Sequence, residues 1–284
     1  MGLWDSVTGF FSDLGDFFSG KSFFEMSGYV WNDLMKMSNQ VLLKNPSEGV
    51  YENTWNQISN IYTTLNSIAV TLVVLFFVYS FCRDAVDLHT DMTMEKTIKL
   101  FIRLTIVTNV MGLALTWMPK FMRWAKILTE AALGEAQFGF YFDGVKIYET
   151  VAESSDWGAL VAFLTSFMFF LFTCVCGFLI VFTIINRIIK IYMIAPFAGV
   201  ALSTLAGGGQ IAQVGYSYIK TFFGYVLSAL LIAVVIVIST TFIDTISLES
   251  ESAIITLLTY CLKMGAISSS VKASDSVMQK AFGL

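Results

Sequence analysis

The sequence predicts an all-α, polytopic membrane protein with about five transmembrane helices, a re-entrant or half-span segment and amphipathic helices at the amino terminus. Three observations carry this. An uncharged run over 158–186 stops at Arg187 and Lys190 and resumes over 191–219. At roughly 1.5 Å per residue the first run is longer than the ~30 Å hydrocarbon core of a bilayer. The chain is also 56% hydrophobic and 13% charged, against about 45–50% and about 25% in a soluble domain. Lastly, Lys and Arg cluster where the apolar runs end, as at Arg83, Lys96, Lys99 and Arg103.

The amino-terminal part, 1–60, reads as amphipathic helices. Leu3, Trp4, Val7, Phe10, Phe11, Leu14, Phe17 and Phe18 follow the three-four spacing of one helical face. A second face falls at Phe23, Met26, Val30, Leu34, Met37 and Val41, and Asn45-Pro46 to Gly49 breaks the pattern. These faces suit the membrane interface, or packing against protein. No cleavable signal peptide is expected, because the first 20 residues hold no Lys or Arg and no compact apolar region. MGLWDS fits the loose myristoylation pattern, but a polytopic protein gains little from one acyl chain.

The first crossing is 61–81, ending at Cys82-Arg83, and the second is 100–118, with Arg103 expected to snorkel to the near interface. Residues 61–118 therefore form a first transmembrane pair, and 119–158 a central loop containing an amphipathic stretch with Lys120, Arg123 and Lys126. The core, 159–243, holds crossings at 159–185 and 221–243 around a re-entrant segment over 191–217. Within it 191–205 contains Pro196 and runs into Gly207-Gly208-Gly209, so as a helix it reaches only about 22 Å. Irregular backbone at membrane depth survives where protein or a water-filled cavity shields it. Residues 244–284 hold the last crossing, 252–262 lengthened to 267, and the tail.

The excess of Lys and Arg on cytoplasmic loops sets the orientation. Arg83, Lys96, Lys99, Arg103, Arg187 and Lys190 are placed in the cytoplasm, as is the tail with Lys263, Lys272 and Lys280. The amino terminus and the central loop are then external, as is the acidic loop with Asp244, Glu249 and Glu251. Lys120, Arg123 and Lys126 fall on the outer face at some cost to the rule.

No constellation for catalysis is present: no HExxH, GxSxG or Walker loop, and no Ser-His-Asp arrangement. Asp87, His89 and Asp91 form the one cluster with acid-base potential, and they read as a solvated loop. The protein is not expected to be an enzyme or to hold a cofactor. The net charge of -4 argues against a scaffold held by nucleic-acid phosphates. Cys82, Cys174, Cys176 and Cys261 lie in or beside apolar runs and are expected to be reduced, and the lone His89 offers no metal partnership. The spans carry no mid-membrane Asp or Glu, which counts against a proton- or cation-coupled transporter.

Arg187 and Lys190 lie one turn apart on one face, at an expected helix end. They read either as interface anchors or as the lining of a cytoplasmic entrance that attracts anions. In a packed re-entrant element, Arg187 would hold backbone carbonyls exposed at the Pro196 break. Gly207, Gly208 and Gly209 read as a helix stop, since a phosphate cradle needs a following helix and a Lys-Ser/Thr.

The order of these features resembles a known family. Trp157 opens a long apolar helix ending NRIIKIYMIAPFAGVALSTLAGGGQ, then comes an aromatic amphipathic stretch with Tyr216 and Tyr218, then another long helix. This is similar to the core of the TrbL-like polytopic inner-membrane subunit of type IV secretion and conjugal transfer systems, whose helix ending in Arg and following Pro match Arg187 and Pro196. The resemblance covers about 157–243. It implies a structural and gating part of a DNA or protein translocation channel in the bacterial cytoplasmic membrane. It also implies self-association, contact with other secretion subunits including separate ATPases, and transient contact with the transported DNA or protein. A small-solute permease, an ion channel or a phage-type membrane protein is the alternative reading.

Overall fold

The computed structural model describes residues 20–86, 94–134, 138–154, 159–245 and 253–283. The first amphipathic helix expected over 1–19, the Asp87-His89-Asp91 cluster and Trp157 lie outside the described residues.

Every described element is helical. Helix α1 is Lys21–Leu42, and a 3-10 turn at Gly49–Tyr51 leads into α2, Glu52–Val86. Helices α3 (Met94–Leu133), α4 (Gly144–Ser154) and α5 (Ala159–Ile194) follow. A 3-10 turn at Ala195–Phe197, a short α6 at Ala198–Ser203 and another turn at Thr204–Gly207 lead to α7, Gly209–Thr245, and then α8, Ala253–Ala281. Among the described residues, five helical stretches are long and apolar enough to cross a membrane: Gly49–Val86, Met94–Leu133, Leu160–Gly207, Gly209–Phe242 and Ile254–Met278. Only 17% of the most apolar window of the first is buried within the protein, and 22% of the second. Val74, Leu75 and Val78 on α2, and Phe101, Ile102 and Ile106 on α3, all face outward. Water would penalise that much contiguous apolar surface, and hydrocarbon does not. The fold is thus an all-α, polytopic membrane fold.

Pro119 does not end the second crossing helix, because α3 runs on through it to Leu133. The missing N–H of a proline costs one hydrogen bond, and membrane helices tolerate it when neighbours re-satisfy the freed group. Lys120, Arg123 and Lys126 thus continue this helix.

The chain forms two compact units. One comprises residues up to Leu42, Ala132–Ile185 and Ile232–Ser274. Here α1 packs on α4, but on a face rotated from the expected one. The buried residues are Phe24, Ser27, Gly28, Trp31, Met35, Ser38, Val41 and Leu42, while Met26 and Met37 are exposed. Small residues decide this, since Gly28 lets the helix approach the backbone at Phe142 and Gly144 closely. Asn32 then clamps the incoming strand of chain: Nδ2 donates to the Phe142 carbonyl at 2.9 Å and Oδ1 accepts from the Phe142 amide at 3.1 Å. Trp31 Nε1 donates to the Phe140 carbonyl at 3.1 Å. The aromatic run Phe138, Phe140, Tyr141 and Phe142 is turned largely inward. Phe142 is fully buried, Phe140 packs on Trp31, and Tyr141 is the member that stays exposed. In the same unit Phe23 meets Phe163 and Phe167, and Thr173 donates to Met264 Sδ at 3.4 Å.

The other unit comprises Leu43–Ala131, Asn186–Leu231 and Asp275–Leu284. Its core joins Trp55, Ile58, Tyr62 and Ala69 of α2 to Val107, Met111 and Met118 of α3 and to Ala198 and Leu202 of α6. Tyr62 Oη donates to the Met111 carbonyl at 2.5 Å, tying α2 to α3. Before α2, Arg123 Nε donates to Glu48 Oε1 at 3.1 Å, and Nη2 reaches the same oxygen. Hydrogen bonding to Arg123 holds the Glu48 carboxyl below its ordinary value of 4.5, with burial opposing and Asn45 and Lys126 assisting. A depressed carboxyl contributes stability above its ordinary value and loses it as pH falls through the lower folded value. Both side chains are substantially exposed, at 58% and 44%, so the contribution is at most about 1 kcal/mol. Glu48→Gln is expected to be less stable than the parent at neutral pH and to converge with it on acidification, read as thermal midpoints in detergent. A gap that stays constant down to about pH 3 would remove this ion pair from the account.

Candidate functional site

Three elements of this second unit converge around the end of α5. Arg187 lies inside α5 rather than at its end, because the helix continues to Ile194. It is 4% exposed, and its Nε is buried without a hydrogen-bond partner. Asp275, Tyr51 and Tyr192 are the titratable groups whose fields act on it. Lys190, one turn on, places Nζ 2.5 Å from Asp275 Oδ2 and 5.6 Å from the centroid of the Tyr225 ring. Asp275 thus pairs with Lys190 from the last turns of α8. Tyr192 Oη donates to the Pro46 carbonyl at 2.7 Å, closing the cluster against the chain before α2. A buried, incompletely bonded guanidinium is costly unless the surroundings compensate it, so such residues mark functional sites in membrane proteins by default.

The break follows at once. Pro196 has no N–H to donate back along the helix, and the Ala198 amide bonds the Ala195 carbonyl instead, tightening the turn. The Ile194 carbonyl, which the 3-10 turn pairs with the Phe197 amide, also accepts from Tyr218 Oη at 3.1 Å. The role expected of Arg187, holding carbonyls at the break, thus falls to Tyr218, which reaches across from α7. Nor is 191–205 a single short helix. It is the end of α5, a 3-10 turn, the six-residue α6 and the start of a second turn, because Pro196 interrupts the hydrogen-bond ladder at one end and the glycines end it at the other.

The broken segment lies along α2. A Cβ on Gly199 would come within 2.7 Å of Asn66 Oδ1 and 3.3 Å of the Ala69 Cβ, so this packing depends on a glycine. Ala195 and Pro196 are buried, and Ala198 is fully so. Gly208 and Gly209 have φ of 61° and 52°, the left-handed region that glycine tolerates. The preceding helical segment ends at Gly207, and α7 begins directly at Gly209.

The structure therefore pairs Lys190 with Asp275 one turn from the buried Arg187, joins the Pro196 break to Tyr218, and makes Gly207, Gly208 and Gly209 a turn between two helical segments. Asp275 and Tyr218 carry no local signal for these roles, since they are 85 and 24 residues from their partners. Tyr218→Phe would remove the cross-helix donor to the Ile194 carbonyl and is expected to cost about 0.5–1.5 kcal/mol. Thermal unfolding in detergent measures it, and an unchanged midpoint would mean that the Tyr218 bond adds nothing to the stability of the break.

The sequence model of the TrbL/VirB6 plasmid conjugal transfer protein family matches residues 70–271, from the second half of α2 into α8. The chain belongs to the TrbL/VirB6 family. No curated protein and no solved structure matches it. As a TrbL/VirB6 member with five membrane-class helices, it is a multi-pass inner-membrane component of a conjugal transfer or type IV secretion system. The match contains Arg187, Lys190, Pro196 and the three glycines, whereas Asp275 lies just beyond it.

Proposed function

We propose that this TrbL/VirB6 protein is a structural and gating component of a type IV secretion channel in the bacterial cytoplasmic membrane. It would act as a homo-oligomer beside other secretion subunits, with separate ATPases supplying energy and with transient contact with the transported DNA or protein. The observation that carries the gating role is the buried Arg187, one turn from the Lys190–Asp275 pair and one short step from the Pro196 break. An ion pair between distant elements and a helix break bridged by Tyr218 are the kind of contacts that a gate would exchange, which supports this reading. In this reading five helices cross with the amino terminus outside and the carboxyl terminus in the cytoplasm, and 191–217 re-enters. The Lys and Arg asymmetry supports that orientation.

Two measurements test the proposal. Asp275→Asn leaves Lys190 without its carboxylate beside the buried Arg187 and is expected to lower transfer from a complemented deletion strain while membrane abundance stays at the parental level. Parental transfer would remove the charge cluster from the gate. For topology, single cysteines at Lys96 and Tyr141, in a chain without its four native thiols, are treated with an impermeant reagent in intact cells. Modification is expected at 141 and not at 96, and the reverse pattern would invert the orientation.

A further inference from the structure

The Gly208–Gly209 turn has a feature that the gate does not use. Two arginines from different helices press their guanidinium groups against it. Arg103 of α3 sets Nη1 where a side chain on Gly208 would begin, and Arg83 of α2 sets Nη1 2.8 Å from the corresponding point on Gly209. Arg83 commits Nε and Nη2 to Asp84 Oδ1, each at 3.1 Å, which leaves Nη1, the atom nearest Gly209, uncommitted. Arg103 carries no ion pair among the described residues. A third group is aimed at the same place: Ser80 Oγ lies 3.6 Å from the point where a Gly208 side chain would begin. Ser80 is fully buried, and its hydroxyl has no hydrogen-bond partner.

The turn is also the start of α7, a helix of 37 residues whose first amides have no acceptor within the helix. Aligned peptide dipoles place roughly half a positive charge there. Two guanidinium groups, a helix amino terminus and an orphan hydroxyl around a side-chain-free turn have the donor chemistry of a phosphate site. Glycine is required twice over, for the backbone angle and for the room that the guanidinium groups occupy. The following helix and cationic groups of a phosphate cradle are thus present, the cations coming from other helices.

We propose that Arg83, Arg103, Ser80 and the amino terminus of α7 bind the phosphate of an anionic phospholipid. The flanking surface selects a lipid as the source of that phosphate. Phe81, Phe101 and Ile102, beside the two arginines, are exposed at 38%, 53% and 53%, and they present apolar surface to acyl chains rather than to water. Arg83 and Gly209 are themselves exposed, so a headgroup can reach them.

The test is thermal unfolding of the purified full chain in mild detergent with added phosphatidylglycerol, phosphatidylcholine or inorganic phosphate. Phosphatidylglycerol is expected to raise the midpoint above phosphatidylcholine, and inorganic phosphate is expected to have little effect. Arg83→Gln and Arg103→Gln should each reduce the phosphatidylglycerol-dependent shift, and together abolish it. Lys99→Gln, which removes an exposed charge paired with Glu95 on the same helix as Arg103, should keep the whole shift. Three results would overturn the site: a full shift in the double variant, an equal loss in Lys99→Gln, or a full shift from inorganic phosphate. If the double variant does not fold, Arg83→Gln decides alone, because its exposed side chain is not part of the core.

Discussion

Arg187→Lys is expected to lower transfer by at least about tenfold, the change that a loss of about 1.4 kcal/mol produces in a two-state equilibrium, with membrane abundance unchanged. At a snorkelling anchor the substitution would be silent, since Lys keeps the charge and the reach. The observed site is different. Arg187 is 4% exposed, and the fields of Asp275, Tyr51 and Tyr192 act on it. An ammonium group is more strongly hydrated than a guanidinium and lacks its planar fork, so it occupies such a site at greater cost. Pro196→Ala addresses the neighbouring break. Restoring an N–H lets α5 continue towards α6 and withdraws the Ile194 carbonyl from Tyr218, so transfer should fall while the helix itself gains stability. Conjugal transfer measured for both variants at matched membrane levels decides the matter. Parental transfer by both would leave Arg187 and Pro196 as ordinary structural residues.

The largest effect on folding is expected at Gly144. A Cβ there would overlap the Phe24 carbonyl of α1, a backbone atom that cannot swing aside. Gly144→Ala must push α1 away, weakening the two Asn32–Phe142 hydrogen bonds and the Trp31–Phe140 bond together. Overpacking of this kind costs about 1–3 kcal/mol, and the loss of fixed hydrogen bonds adds to it. Gly112→Ala is the control, because nothing lies within 4 Å of a Cβ at that position in α3. It should be neutral or stabilising by up to about 1 kcal/mol from helix propensity. Thermal unfolding in detergent and limited proteolysis of α1 read both. Equal midpoints for the two variants would show that the α1–α4 contact yields without cost.

Composition and hydropathy alone determined the membrane class, the helical architecture and the five candidate crossings, because the bilayer imposes length and polarity on each segment separately. The order of Arg187, Pro196 and the three glycines was enough to suggest the family, and the match over 70–271 agrees. The buried face of α1 was not legible. Its apolar residues spread around enough of the helix for two faces to look alike, and the choice fell to Gly28 and Asn32 meeting a segment about 110 residues away. Nor could local sequence assign Asp275 to Lys190, Tyr218 to the broken carbonyl, or Arg83 and Arg103 to one glycine turn. A polar side chain inside a membrane protein takes whichever partner the packing of distant helices brings within about 3 Å. Hydropathy says where each helix lies, while the folded chain alone sets which polar groups meet.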